Sequence, residues 1–170
     1  MANKTNLGIS AVIGLLLAAY LGFDANQHKT DASSQQANIS QPNSANTQTV
    51  DVGQSSQSQH GLEVIRKAYD SKLSNVQVQS FGHVKAVLRD DNEGSRHQKF
   101  ILNLDNGLTV LVAHNIDLAP KIENLRKGDL VEFLGEYEYS NQGGVIHWTH
   151  RDPQKRHPAG WLKHNGKTYQ

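Results

Sequence analysis

Histidine and aspartate side chains that can bind metal ions or move protons recur through the second half of the sequence. In the stretch GGVIHWTHRDP, residues 143–153, two histidines flank a tryptophan and a threonine, and an arginine and an aspartate follow. Imidazole and carboxylate groups are ligands for zinc and copper, and the same groups act as general bases in hydrolysis. The sequence therefore predicts a polar site to which this stretch contributes.

The two histidines of this stretch, His147 and His150, are poorly spaced for sharing one ion. Successive side chains of a regular strand point to opposite faces, so a joint metal site would need a bulge or a helical turn between them. We therefore group His150 with histidines of two earlier strands. The candidate ligands for a divalent transition-metal ion are His97, His114 and His150.

Two other interpretations of these histidines stay open. In the first, they form a structural network of hydrogen bonds with backbone and carboxylate groups. In the second, His97 or His114 is a general base and Arg96 steadies an anion. No G-x-S-x-G, H-E-x-x-H or phosphate-binding loop is present to name a reaction. Cysteine is absent, which excludes disulfides, thiolate metal sites and cysteine nucleophiles.

The sequence predicts one helix and five strands that position these groups, within a domain that spans residues 61–170. Leu62, Ile65, Tyr69 and Leu73 recur at helical spacing, which predicts a short N-terminal helix. Alternation of apolar and polar residues and the Asp-Asn-Gly turn predict the strands. These cover residues 76–88, 97–104, 108–113, 129–139 and 145–150, with a short helix or turn at 119–125.

The phrase LRKGDLVEFLGEY, residues 125–137, resembles the entry to the fourth strand of OB-fold barrels. Together with this mainly β pattern, the resemblance predicts a small five-stranded Greek-key barrel of OB type; a β-sandwich or an open β-roll is the alternative. If residues 106 and 107 form the hairpin turn, His97 faces Ile116 and lies close to His114. The third and fifth strands of such a barrel run parallel, so their ends meet at one rim. The predicted ligand-binding rim comprises Arg96, His97, His114, Asn115, Asp117, His147, Trp148, His150, Asp152, His157 and Trp161. The same topology places Asp90 and Asp91 at this rim.

The chain before the domain divides into an apolar and a polar part. Residues 7–23 are apolar and uncharged, and as a helix they would span about 26 Å of a hydrocarbon core about 30 Å thick. Residues 1–23 are therefore predicted to be a membrane anchor, with a cleaved signal segment as the alternative. Residues 24–60, rich in Gln, Ser and Asn, are predicted to be a disordered tether.

The predicted location and partners of the protein follow from this arrangement of anchor, tether and domain. Lys4 on the cytoplasmic side places the rest of a single-pass inner-membrane protein in the bacterial periplasm; signal cleavage would release the protein there instead. The expected partners are the inner membrane, through residues 7–23, and a small ligand, a glycan or an envelope protein. The net charge of +1 does not support nucleic-acid binding.

Several motifs together resemble one bacterial family. They are GSRHQKF (94–100), LVAHNIDLAP (111–120), GGVIHWTHRDP (143–153) and HPAGWLKHNGKTYQ (157–170). Over about residues 76–170 the chain is similar to the domain-of-unknown-function family numbered 3465. The resemblance implies no particular activity. From the residues we predict a membrane-tethered periplasmic binding module with a His/Asp/Arg-lined rim; the alternative is a metal- or histidine-dependent hydrolase acting on a phosphodiester or cell-envelope substrate.

Overall fold

Five of the strands in the computed structural model, which describes residues 52–170, close into a barrel. The elements are α1 (Val52–Asp70), β1 (Val76–Val87), β2 (His97–Asn103), β3 (Thr109–Asn115), β4 (Leu130–Glu138), β5 (Val145–His147), β6 (Trp161–His164) and β7 (Lys167–Tyr169). The strand order in the barrel is β1-β2-β3-β5-β4, and β4 pairs again with β1. All pairs are antiparallel except β3 with β5, which is parallel as predicted. The prediction of a mainly β barrel with a helix is therefore confirmed.

The barrel interior is filled by alternate side chains of its strands. On β4, Val131, Phe133 and Tyr137 are fully buried, whereas Glu132, Leu134 and Glu136 are only partly buried. This period of two is what a strand with one face toward the core requires. Residues from the other strands complete the core, which includes Phe100, Leu102, Val110, Val112, Ile146 and Leu162.

The β2–β3 hairpin has a three-residue loop, residues 105–107, closed by a backbone hydrogen bond of 2.9 Å between its two flanking leucines. Gly107 has a φ of 83°, the left-handed conformation that ends such a loop. The predicted register, based on a two-residue turn, is wrong by one residue. His97 consequently pairs with Asn115 instead of Ile116.

Helix α1 starts at Val52, inside the segment predicted to be a disordered tether. The helix lies directly on β1: the Ser80 hydroxyl donates a hydrogen bond of 3.0 Å to the Ser58 carbonyl. A side chain on Gly61 would overlap the carbonyl oxygen of Gln79. Ser58, Gly61 and Ser80 are small enough to let α1 pack closely on β1. This contact stabilises the start of the helix, although residues 52–60 contain few apolar side chains. The tether prediction fails for residues 52–60.

The other predictions for the N-terminal part fall outside the described residues. The anchor at residues 1–23 and the tether at 24–51 both lie there. Within residues 52–170, no helix has the length and apolar character needed to cross a membrane.

The C-terminal part differs most from the predicted pattern. Strand β5 ends at His147 instead of continuing to residue 150, because Trp148 has a φ of 51°, which an extended strand does not allow. The chain then forms a loop, residues 148–160, and returns as the β6–β7 hairpin, which was not predicted. Strand β6 pairs with the first half of β4, and β5 pairs with the second half.

Candidate functional site

His114 lies inside the barrel rim with both ring nitrogens engaged. Its Nε2 donates to the Pro120 carbonyl at 3.1 Å, which leaves Nδ1 to accept from the Thr149 hydroxyl at 2.8 Å. Burial lowers the pKa of His114 to about 4, so the ring is neutral at neutral pH. Neither nitrogen has a lone pair available to an ion in this arrangement.

His97 and His150 lie close enough to His114 that a charge on either would lower the pKa of the His114 imidazole. Burial also lowers the pKa of His97, and its Nδ1 has no hydrogen-bond partner among the described residues. The Nδ1 of His150 donates to the carbonyl of the next residue at 2.9 Å. The three histidines come together as expected. Metal binding by these three histidines stays a prediction. The hydrogen bonds of His114 count against it, because they occupy both ring nitrogens.

The other rim residues next to β2 and β3 have their polar groups paired within the described residues. The side chain and the backbone nitrogen of Arg96 each donate to Asp117 at 2.7 Å, and these bonds hold the pKa of that carboxyl below its usual value. The Asp117 nitrogen in turn donates to the Asn115 side chain at 2.9 Å. Asp90 forms an ion pair with a lysine of the loop before β4, and Asp91 accepts from a backbone nitrogen two residues later. This part of the rim is held by its own ion pairs and hydrogen bonds, two of which join separate segments of the chain.

Loop 148–160 is organised around the carboxylate of Asp152. This side chain accepts hydrogen bonds of 2.9, 2.8 and 3.1 Å from the backbone nitrogens of Gln154, Arg156 and His157. These bonds hold the pKa of Asp152 below its usual value, because they favour the charged carboxylate. Asp152, predicted as a site residue, thus fixes the position of His157.

Two glutamates of β4 meet two histidines beneath this loop. Glu136 and Glu138 are two residues apart in β4, so both side chains lie on the outer face of the barrel. His147 of β5 is paired directly with Glu136 of β4. The His147 Nε2 lies 3.5 Å from Glu136 Oε1 and 3.8 Å from Glu138 Oε1. The His157 Nε2 lies 2.8 Å from the other oxygen of Glu136. We call these four residues the Glu–His cluster.

The His147 ring is the least satisfied member of the cluster. The residue is 9% exposed, and its Nε2 has no hydrogen-bond partner among residues 52–170. Burial lowers its pKa to about 4 and outweighs the opposing effect of the Glu136 carboxylate, so the ring is neutral at neutral pH. One ligand atom from each of Glu136, Glu138 and His147 lies within 4.8 Å of the others, a spacing that could hold a metal ion.

Trp148 covers the cluster from the side of the loop. Its ring stacks on His157 with centroids 4.1 Å apart and planes 9° apart, and it lies at a tilt to His150 at 5.3 Å. A left-handed φ is rare for so bulky a residue, and such conformations concentrate at functional sites. Trp161, the other tryptophan, begins β6 opposite Leu134 and is partly buried.

A protein-family model described as "Protein of unknown function (DUF3465)" matches residues 47–170. The chain belongs to this family. The match covers all of α1 and the whole barrel, which confirms the resemblance carried by the motifs. No curated protein matches the chain. Because membership in DUF3465 brings no activity with it, the function of this DUF3465 protein has to be argued from the site.

Sequence reasoning missed two of the cluster residues of this DUF3465 chain, Glu136 and Glu138. Their spacing in the phrase GEYEY places both on one face of a strand, but alternating glutamates are also what a solvated face shows. The deciding fact is the pairing of β4 with β5 at His147, which comes from barrel closure. The predicted residues His147, Trp148, Asp152 and His157 do meet at one place.

Gly160 offers a test of the loop in the DUF3465 domain. Its nitrogen donates to the His150 carbonyl at 3.0 Å, and an added Cβ would overlap the Trp148 carbonyl and lie 2.5 Å from that of Leu134. The Gly160→Ala change should therefore displace the loop, break the contact of His157 with the cluster and destabilise the protein by about 1–3 kcal/mol. The ring signals of His157 in NMR spectra would report the displacement.

The matched control is Gly166→Ala, in the β6–β7 turn. An added Cβ there meets nothing within 4 Å, although the φ of 75° makes the change locally strained. This variant should leave the His157 signals unchanged. Native His157 signals in the Gly160→Ala protein would show that the loop does not depend on the close contact at residue 160.

Proposed function

We propose that this DUF3465 protein is a periplasmic binding module held at the inner membrane by residues 7–23 and built on a barrel of OB type. The strand order β1-β2-β3-β5-β4, with the parallel β3–β5 pair, supports the OB assignment. The apolar, uncharged residues 7–23 and Lys4 before them support the anchor and its orientation. OB barrels carry many unrelated functions, so the ligand has to come from the site itself.

The Glu–His cluster under loop 148–160 is the observation that carries the binding proposal. Buried polar groups in proteins are nearly always hydrogen-bonded, and the Nε2 of His147 is an exception. Two carboxylates face that nitrogen, and the ring of Trp148 lies beside them on a stacked imidazole. A ligand with polar groups would complete these bonds, and the flat aromatic surface would add contact area.

The hydrolase alternative receives less support from the rim. A general base needs a free nitrogen within reach of a substrate; both nitrogens of His114 are occupied, and the unpartnered Nδ1 of His97 is buried. Arg96, the expected anion-binding group, is paired with Asp117. Binding without a chemical step is therefore the function that the described residues favour.

Trp148 provides the readout for a test on the full chain. In a Trp161→Phe background Trp148 becomes the sole tryptophan, so its fluorescence reports on loop 148–160. Zinc, inorganic phosphate and N-acetylglucosamine oligosaccharides would be titrated separately. At least one of these ligand classes is expected to change the emission of Trp148, and a Glu138→Gln change should abolish the effect.

A matched control is Glu132→Gln, on the same face of β4 beside Lys163. It should leave the response intact. If no class changes the emission of Trp148, or if the ligands that do bind perturb only β2 and β3 in NMR spectra, the proposal that this loop forms the binding site is wrong.

A further inference from the structure

We infer that the Glu–His cluster is a binding site for one divalent transition-metal ion, with Glu136, Glu138 and His147 as its ligands and zinc as the ion that fits best. The inference rests on the proposed binding function and names the ligand. It differs from the site expected from the sequence, which grouped His97, His114 and His150.

The first support is the separation of the donor atoms. Ligand atoms about 2.1 Å from a tetrahedral zinc ion lie about 3.4 Å from one another. The Nε2 of His147 is 3.5 Å from Glu136 Oε1 and 3.8 Å from Glu138 Oε1. The Glu136 and Glu138 oxygens lie within 4.8 Å of each other, so rotations of the side chains can bring all three atoms to bonding distance of one ion.

The second and independent support is the unpartnered nitrogen of His147. A buried donor or acceptor that lacks a hydrogen bond costs about 1–3 kcal/mol, so proteins seldom retain one without a reason. The Nε2 of His147 is such an atom, in a residue that is 9% exposed, and it points at two carboxylates. A bound cation would satisfy this nitrogen and the carboxylates together.

Charge balance and the surrounding contacts agree with a divalent ion. The ion pairs recorded for Glu136 and Glu138 are to histidines, so no lysine or arginine of residues 52–170 forms an ion pair with either carboxylate. Two carboxylates balance the charge of one divalent ion. His157 contacts the oxygen of Glu136 that faces away from His147, at 2.8 Å. Such outer contacts orient metal ligands and commonly tune affinity.

The donor set selects the class of ion. One imidazole and two carboxylates without sulfur suit zinc, manganese or ferrous iron, and they disfavour cuprous ions, which prefer thiolate and thioether ligands. Three protein ligands on a partly exposed face leave a fourth position for water or for a donor from another molecule.

The test is equilibrium dialysis of the full chain against zinc, purified in mild detergent without a polyhistidine tag and stripped of metal. We expect one zinc ion per chain. Glu138→Gln and His147→Gln should each weaken zinc binding about 100-fold or more, and His157→Gln about 10- to 100-fold. Cobalt at the same site should show the intense visible absorption of a tetrahedral ion in the native protein, and this absorption should be lost in Glu138→Gln.

Two controls separate this site from the other histidines and carboxylates. Glu132→Gln changes a carboxylate on the same face of β4, and His83→Gln changes an exposed histidine on β1. Both should retain native zinc affinity. Circular dichroism would check that each variant is folded; Glu138 lies at the surface end of β4, so its variant should fold.

The outcomes distinguish this inference from the broader proposal. If zinc, manganese and ferrous iron all fail to bind at one per chain, or if Glu138→Gln and His147→Gln keep native affinity, the metal site is wrong. The binding module would survive that result if phosphate or an oligosaccharide still changed the fluorescence of Trp148. If these ions failed to bind and no ligand changed the fluorescence of Trp148, both proposals would fail.

Discussion

The Phe133→Ala protein is expected to be less stable than the native protein by about 3–5 kcal/mol, the usual cost of removing a large buried aromatic side chain. Phe133 is 0% exposed and lies at the middle of β4. Its backbone pairs with β1 on one side and β6 on the other, so the cavity would open where three strands meet. Rigid strands on both sides limit the collapse that could refill the space. Urea unfolding of the full chain, followed by circular dichroism, would measure the loss.

The neighbouring residue supplies the control for this prediction. Leu134 belongs to the same strand, but its side chain lies on the outer face and is partly exposed. Leu134→Ala should therefore cost clearly less than Phe133→Ala. Equal losses for the two variants would mean that the inside and the outside of β4 do not differ as the barrel requires.

Acidification from pH 6.5 to pH 4 is expected to lower the free energy of unfolding by about 3 kcal/mol through His114 alone. The pKa of His114 is lowered from 6.5 to about 4 by burial. Between these values the unfolded chain binds a proton that the native protein cannot accept. Unfolding is therefore increasingly favoured as the pH falls through this range, and the loss from His114 levels off below pH 4.

Urea unfolding at intervals between pH 7 and pH 4 would test this dependence. His114→Gln removes the titrating group, so stability should fall less steeply with pH in that variant. His147, whose pKa is also lowered to about 4, contributes in the same direction and keeps part of the slope. A change at an exposed histidine, His60→Gln, should leave the slope as it is. An unchanged slope in His114→Gln would show that a neutral His114 is not required for stability.

The barrel was predictable because its strands obey a simple rule. Alternation in residues 97–104 and 129–139, together with the Asp-Asn-Gly turn, predicted the strands, and the resemblance of residues 125–137 to a barrel strand predicted their order. Details that depend on the backbone conformation of one residue could not be predicted from the sequence. Whether the hairpin loop has two residues or three depends on Gly107, and the early end of β5 depends on the left-handed Trp148. Neither conformation has a signature in hydrophobic periodicity.

The site was predictable in part for a related reason. Parallel pairing of β3 and β5 brought His114 and His150 to the same rim, as topology requires. The Glu–His cluster depends on which residue of β4 lies opposite His147, and on the turn that Asp152 builds to carry His157. Both arise from tertiary pairing and from hydrogen bonds to one carboxylate, and spacing along the chain does not encode them.

Loop 148–160 leaves and rejoins the barrel at neighbouring points along one strand. His147 pairs with Glu136 of β4, Trp161 pairs with Leu134 of the same strand, and the Gly160 nitrogen bonds to the His150 carbonyl. When both ends of a loop are held in this way, doubling its length costs only about 0.6 kcal/mol. Insertions between the fixed ends therefore lower the stability of the fold only slightly. This segment is the place where evolution, or an engineer, can exchange one specificity for another while the barrel stays the same.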